Sequence, residues 1–170
     1  MSELSDCQPV YSHAEEAVRR AYAKPRGNYG RMLSQDVYDG MGVFDKMVQD
    51  TMVKRLVGEV CTPIARDVFS LLFDDSLDDA GLHKLMRRLM MGLIPPSTDS
   101  TFALECFERW SGRRICDWKI MDIKQRARSW DIPENTLYDQ SRRLRKDLNE
   151  IKEAGLITVR CKLQEMGLML

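Results

Sequence analysis

The chain has 170 residues, of which 44% are hydrophobic, and it carries 26 basic and 26 acidic side chains. This length suits one medium domain or two small ones, and the hydrophobic content is enough for a packed core. No apolar run is long enough to span a membrane and the N-terminus lacks the basic-then-apolar pattern of a secretory signal, so we expect a cytoplasmic protein without membrane contact.

The first part of the chain is predicted to be helical. Ser12 and Glu15 have the spacing of a capping box for a first helix, which must end before Pro25. Residues 24–31 are expected to form a connecting loop, although the basic side chains in this segment could also contact phosphate. A second helix follows, with an apolar stripe at Val48, Met52, Leu56 and Val60.

Two further helices lead to a linker. Thr62 and Pro63 form a start signal for the third helix, and the acidic turn at 74–79 suits the positive end of the fourth. Pro95 and Pro96 stop the fourth helix, and the polar residues after them offer N-caps for the next, so we place a domain boundary between residues 95 and 96. The predicted inward residues are Ile64, Val68, Leu71 and Leu72 in the third helix and Leu82, Leu85, Met86, Leu89 and Met90 in the fourth.

Beyond the boundary, the apolar pattern predicts a three-helix unit and a tail. Ala103, Phe107 and Trp110 line a first helix that ends near Gly112. The tail at 152–160 is compatible with the strand of a winged helix or with a further terminal helix. We favour the terminal helix because the segment 136–155 is longer than the segment that usually leads from a recognition helix into a wing strand. Its inward residues would be Val159, Leu163 and Met166.

Residues 126–137, RARSWDIPENTL, have the spacing of a helix-turn-helix. Ala127 is small, as required where two helices approach closely. Asp131 stands where such turns usually have glycine, and aspartate is one of the few other residues that tolerates the left-handed conformation. Pro133 suits a first helical turn, where no amide donor is needed. The segment therefore predicts two helices joined by a tight turn.

Apolar and polar side chains fall on opposite faces of these two helices. Arginine and asparagine can each form paired hydrogen bonds with a base edge in the major groove, so the polar face predicts DNA reading. An ordinary solvent-exposed helix face remains the alternative. The apolar stripes are Ile120, Ile123, Ala127 and Trp130, then Leu137, Ser141, Leu144 and Leu148; the polar stripe is Asn135, Tyr138, Asp139, Arg142 and Arg145 or Lys146.

Basic residues are concentrated around this segment. Positions 109–146 carry eleven Lys and Arg against five Asp and Glu, an excess of six positive charges in a chain that is neutral as a whole. Such an excess favours phosphate binding, whose strength depends on salt. The acidic remainder predicts a second surface that avoids nucleic acid or contacts a basic partner.

Cysteines and histidines indicate neither a metal site nor catalysis. The five cysteines include no Cys-x-x-Cys pair, and nine residues between Cys106 and Cys116 is a poor zinc spacing. His13 and His83 are the only histidines, and no nucleophile-elbow, metalloprotease or phosphate-loop motif occurs. We expect reduced, buried cysteines, no metal, no cofactor and no enzymatic activity.

Several motifs together resemble the Q-class late-gene transcription antiterminators of phages and prophages. The resemblance is carried by Tyr11, Ala14, Glu16 and Ala17 in the first helix, a Tyr-x-x-Met pair at 29 and 32, the helix-turn-helix, and Leu-x-Glu-x-Gly-Leu at 163–168. It covers most of the chain diffusely and is specific around residues 126–148. It implies an all-α protein with an N-terminal helical bundle and a C-terminal three-helix unit of sigma-like helix-turn-helix type.

The resemblance also implies a function. Such proteins bind double-stranded DNA near a promoter, join RNA polymerase in its flap and sigma region, and suppress terminators downstream. We therefore expect a partner-binding region at 1–95 and a DNA-binding region at 96–170. A conventional dimeric activator or repressor, or a nucleic-acid accessory protein, remains open. The implied base contacts are Asn135, Thr136, Tyr138, Asp139, Arg142 and Arg145, and the implied phosphate contacts are Arg113, Arg114, Lys124, Arg128, Arg143 and Lys146.

Overall fold

The computed structural model describes residues 11–23 and 43–169, with side chains from residue 47 onward in the second range. Within these residues the secondary structure is helical and contains no strand, which confirms the all-α class. No helix in these two ranges is both long and apolar enough to cross a membrane. The helices are α1 (Ala14–Tyr22), α2 (Val43–Val60), α3 (Pro63–Phe73), α4 (Asp79–Leu93), α5 (Ser100–Ser111), α6 (Ile123–Trp130) and α7 (Glu134–Glu165).

The chain forms two compact units. Unit 1 comprises Met1–Ser76 and Ala154–Leu170, and unit 2 comprises Leu77–Glu153. The expected boundary at 95/96 falls inside unit 2, between α4 and α5. Helix α7 contributes its first part to unit 2 and its last part to unit 1.

Unit 1 joins helices from both ends of the sequence. Helix α1 packs against α2 and α3, and Val18, Phe69 and Leu163 are fully buried. Gly155 of α7 lies so close to α3 that a Cβ at this position would be 2.8 Å from Cζ of Phe69. The backbone amide of Tyr11 donates to the carbonyl oxygen of Leu168 at 3.2 Å. The C-terminal residues are therefore part of the same core as the N-terminal helices.

Local start and stop signals place most helix ends correctly. Thr62 caps α3 by accepting from the Ala65 amide at 3.3 Å, and Asp78 caps α4 by accepting from the Gly81 amide at 2.7 Å. Gly112 ends α5 in the left-handed conformation, with φ +69°. These caps confirm the sequence predictions because a cap depends only on residues within one helical turn.

Two N-terminal predictions are wrong in detail. The Ser12 hydroxyl bonds to Glu16 at 2.7 Å, not to Glu15, which instead pairs with Arg19 at 3.0 Å. From residue 47 onward the buried residues of α2 are Val53 and Val57, whereas the predicted Met52, Leu56 and Val60 are half-buried and Val48 is 51% exposed. Apolar residues occur on more than one side of α2, so periodicity alone does not identify its buried face. The loop at 24–31 and the motif residues 29 and 32 lie outside the described residues.

The tail prediction also needs correction. Helix α7 continues without a break to Glu165, so residues 152–160 form neither a wing strand nor a separate helix. Gly155, which could have ended a helix, is instead buried where α7 approaches Phe69. Val159 and Leu163 are buried as predicted, whereas Met166 is 45% exposed.

Candidate nucleic-acid interface

The turn between α6 and α7 is formed by Asp131, Ile132 and Pro133. Asp122 caps the start of α6 by accepting from the Gln125 amide at 2.8 Å. Asp131 ends α6 with φ 53° and ψ 43°, and it has the only positive φ of a non-glycine residue in the described ranges. Its left-handed conformation confirms its predicted role in reversing the chain.

The inward stripes of this segment are largely confirmed. Ala127, Leu137, Leu144 and Leu148 are buried, while Ile120, Ile123, Trp130 and Ser141 are half-buried. The Trp130 ring packs edge-on against Phe102 of α5, with 6.4 Å between ring centroids. The helical phase assigned to the start of α7 is therefore correct.

The predicted base contacts lie together on the outer face of α7. All six are exposed, and so are two of the predicted phosphate contacts on the same helix. The six are Asn135, Thr136, Tyr138, Asp139, Arg142 and Arg145, and the two are Arg143 and Lys146. Arg142 lies 3.9 Å from Asp139, and Lys146 lies 3.7 Å from Glu150. Exposed pairs of this kind contribute little stability, so both cations can exchange these partners for phosphate or a base.

The other predicted phosphate contacts belong to different elements. Lys124 and Arg128 are exposed and one helical turn apart on α6. Arg114 is exposed and Arg113 half-buried in the connection between α5 and α6. Arg143 differs from the rest of α7 because it also lines a cavity of about 150 Å³ with Gln140 and Asp147. This cavity is smaller than the roughly 300–1,000 Å³ of ligand pockets, and we assign no ligand to it.

Sequence reasoning missed a buried ion pair beneath this surface. Glu105 of α5 is fully buried and accepts from Nε of Arg126 at 3.3 Å, with a second contact from Nη2 of the same arginine. The Arg126 guanidinium also lies 4.7 Å from the centroid of the Trp130 ring. Arg126 therefore ties α6 to α5 and does not contribute to the surface charge, although it belongs to the basic excess of the sequence.

A sequence signal for this pair exists at Glu105. It lies among Phe102, Ala103, Cys106 and Phe107, all of which are buried on α5. A carboxylate within an apolar stripe requires a cationic partner, because an unpaired buried charge is costly. The sequence does not show which of the eleven cations supplies it.

Glu108 and Cys116 form a second polar contact beneath the loop that follows α5. Burial raises the pKa of Glu108, but hydrogen bonds from the amides of Cys116 and Ile115 outweigh burial and leave its pKa below the usual value. Burial and the neighbouring Glu108 raise the pKa of the Cys116 thiol to about 12. Cys116 is therefore a protonated packing residue, not a nucleophile.

Three of the four described cysteines are buried as expected, and Cys161 is exposed. Its position on α7 turns it away from the buried Val159 and Leu163. In the part of the chain that the structure describes, no three His, Cys, Asp or Glu side chains are grouped in a way that could hold a metal ion.

Comparison with known proteins gives no relative from which function could be transferred. Neither a protein-family model, nor a curated protein, nor a solved structure matches the chain. Function is therefore inferred from the side chains around α6 and α7 and from the motif resemblance.

Proposed function

We propose that α6, the Asp131 turn and α7 form a DNA-binding helix-turn-helix in which α7 reads the major groove. The observation that carries this proposal is the exposed polar stripe at the start of α7, directly after a three-residue turn. In helix-turn-helix proteins the N-terminal residues of the second helix contact base edges. Asn135 and Arg142 are about 10 Å apart along the helix axis and, being seven residues or nearly two turns apart, lie on the same face of α7.

Base and phosphate contacts are divided along α7. Asn135 is suited to the adenine edge, where its amide can donate to N7 and accept from N6, and Arg142 is suited to the guanine edge, where its guanidinium can donate to both O6 and N7. Lys146 is about 16 Å beyond Asn135 along the helix axis, and because the N-terminal residues of a recognition helix contact base edges, we assign Lys146 to the phosphate backbone. Arg114, Lys124 and Arg128 supply further exposed cations for phosphate.

We further propose that this protein is a transcription antitermination factor. This proposal rests on the resemblance to the Q-class regulators, which implies loading near a promoter and association with RNA polymerase. The region 1–95 would then contribute polymerase contacts. The second candidate is a conventional dimeric activator or repressor, which the same reading helix would also serve.

Base readout is tested by substitutions on the outer face of α7 in the full-length protein. We expect Asn135→Ala and Arg142→Ala each to weaken binding to a DNA site selected from random duplexes by about 1–3 kcal/mol, with little change on random DNA. Lys146→Ala should weaken binding to the selected site and to random DNA alike, and should lower the slope of log affinity against log salt concentration by about one. Fluorescence anisotropy titrations at several salt concentrations measure these effects.

Arg160→Ala is the matched control, because Arg160 is also an exposed arginine on α7 but lies in unit 1. It should leave the affinity for the selected site unchanged. Equal losses on selected and random DNA for Asn135→Ala and Arg142→Ala would exclude base reading by this face.

Antitermination is tested by in-vitro transcription from a template that carries the selected site near the promoter and a strong terminator far downstream. We expect the full-length protein to increase readthrough, and both the Asn135→Ala, Arg142→Ala double variant and a randomised site to abolish the increase. A rise in initiation with unchanged readthrough would contradict antitermination and support an activator. A two-fold symmetric selected site, with half-sites about one helical turn apart, would support the dimeric alternative.

A further inference from the structure

The connection between α5 and α6 is unusually long and has no secondary structure of its own. It spans residues 112–122, eleven residues, between Ser111 and Ile123. Helix-to-helix connections in compact domains typically have about 2–8 residues, and longer irregular ones are often functional. We call residues 112–122 the Trp118 loop.

Side chains of α5 hold the Trp118 loop in place at several points. Oε2 of Glu108 accepts from the amides of Ile115 and Cys116 at 2.9 and 2.7 Å. Oε1 of Glu105 accepts from the Trp118 indole nitrogen at 3.1 Å. Arg109 donates to the carbonyl oxygen of Met121. Because Glu105, Glu108 and Arg109 lie on one face of α5, a single helix orders the whole loop.

The ring of Trp118 is partly exposed to solvent, although a hydrogen bond fixes the side chain in the loop. Its side chain is 40% exposed, although its only hydrogen-bond donor is bound by the fully buried Glu105. What Trp118 offers to a partner is therefore aromatic surface without a polar group. Arg114 and Lys119 are exposed on either side of it in the sequence.

We infer that the Trp118 loop is a second nucleic-acid contact, in which the Trp118 ring stacks on an unpaired base and Arg114 and Lys119 contact the adjoining phosphates. Proteins that bind single strands combine these two features, aromatic stacking surfaces and cations that follow the backbone. The inference extends the proposed DNA-binding function to an unpaired strand.

Three arguments favour an unpaired strand over the alternatives. Inside a duplex both faces of a base are already stacked, so an aromatic ring of this kind gains contact only where a base is unpaired. Tryptophan in protein interfaces usually uses its N–H as well as its ring, whereas the N–H of Trp118 is bound internally. The loop carries three Arg and Lys against two Asp, so its net charge also favours phosphate.

The test uses the full-length protein and an oligothymidylate of about 12 nucleotides, which has no secondary structure. Trp118→Leu keeps an apolar side chain but removes the aromatic ring, and Trp118→Phe keeps a ring. We expect Trp118→Leu to weaken binding about 5- to 100-fold and Trp118→Phe to retain most of the affinity. Lys119→Gln should reduce the salt slope by about 0.7, the value for one phosphate contact on a single strand.

Controls separate stacking from loss of structure. Met121→Ala, a change at another exposed apolar residue of the same loop, should leave oligothymidylate binding unchanged. All variants should bind the selected duplex as the parent does. Trp118→Leu and Trp118→Phe both lose the hydrogen bond to Glu105, so their thermal melts should match each other, and any difference between them in oligothymidylate binding then reports the aromatic ring. If Trp118→Leu fails to fold, tryptophan fluorescence provides the test, because Trp118→Phe has no indole at position 118. Quenching by oligothymidylate in the parent but not in Trp118→Phe would support the contact. The same quenching in Trp118→Phe would overturn it.

Equal affinities of the parent and Trp118→Leu for oligothymidylate would overturn the inference, as would a failure of the parent to bind it. Loss of affinity in Trp118→Leu for a protein partner that the parent binds, together with no single-strand binding by the parent, would assign the loop to protein contact and also overturn the inference. Trp118-dependent binding to oligothymidylate without readout by Asn135 and Arg142 would uphold the loop contact and remove the proposed function of α7.

Discussion

Glu105→Ala is expected to destabilise unit 2 by about 3–5 kcal/mol, because it leaves the Arg126 charge buried without its partner. Arg126 is only 7% exposed and cannot reach water without disturbing α6. Arg109 and Trp118, the other partners of Glu105, are partly exposed and can bond to solvent instead. Chemical denaturation followed by tryptophan fluorescence measures this loss, since Trp110, Trp118 and Trp130 all lie in unit 2.

A double variant tests whether the loss in Glu105→Ala comes from the unpaired Arg126 charge. Glu105→Leu with Arg126→Leu removes both charges, so it should recover much of the stability lost in Glu105→Ala. Glu150→Ala, which breaks the exposed pair with Lys146, should change the free energy of unfolding by less than about 1 kcal/mol. A Glu105→Ala effect no larger than that of Glu150→Ala would contradict the buried pair.

Leu163→Ala is expected to destabilise unit 1 by about 2–5 kcal/mol, as other large-to-small changes in a core do. Leu163 is fully buried near the end of α7, in the unit that also contains α1, α2 and α3. Denaturation followed by far-ultraviolet circular dichroism detects the loss, because tryptophan fluorescence reports on unit 2 alone.

Ile157→Ala is the matched control for Leu163→Ala. Ile157 lies on the same helix and in the same unit but is 57% exposed, so its loss should change stability by less than about 0.5 kcal/mol. Similar effects of the two substitutions would show that the end of α7 does not pack as described. A large effect of Leu163→Ala also implies that cutting the chain at 95/96 separates residues that fold together.

The local features of this protein were predictable from the sequence. Thr62, Asp78, Asp99 and Gly112 mark helix ends because a cap and its helix are in contact within one turn. Asp131 marks the turn because few residues other than glycine tolerate its left-handed backbone. The stripe of Leu137, Leu144 and Leu148 follows from the 3.6-residue helical period alone.

The features that depend on distant residues were decided by the tertiary structure. Arg126 becomes buried because Glu105, 21 residues earlier, receives it in the interior. Gly155 is buried in α7 where Phe69 lies against it, and Val53 and Val57, not the predicted stripe, are the buried residues of α2 from residue 47 onward. Periodicity and caps describe the interactions of a helix with its own neighbours along the chain. Which of several apolar or charged side chains meets a partner depends on how the helices pack, and that is set by contacts between residues far apart in sequence.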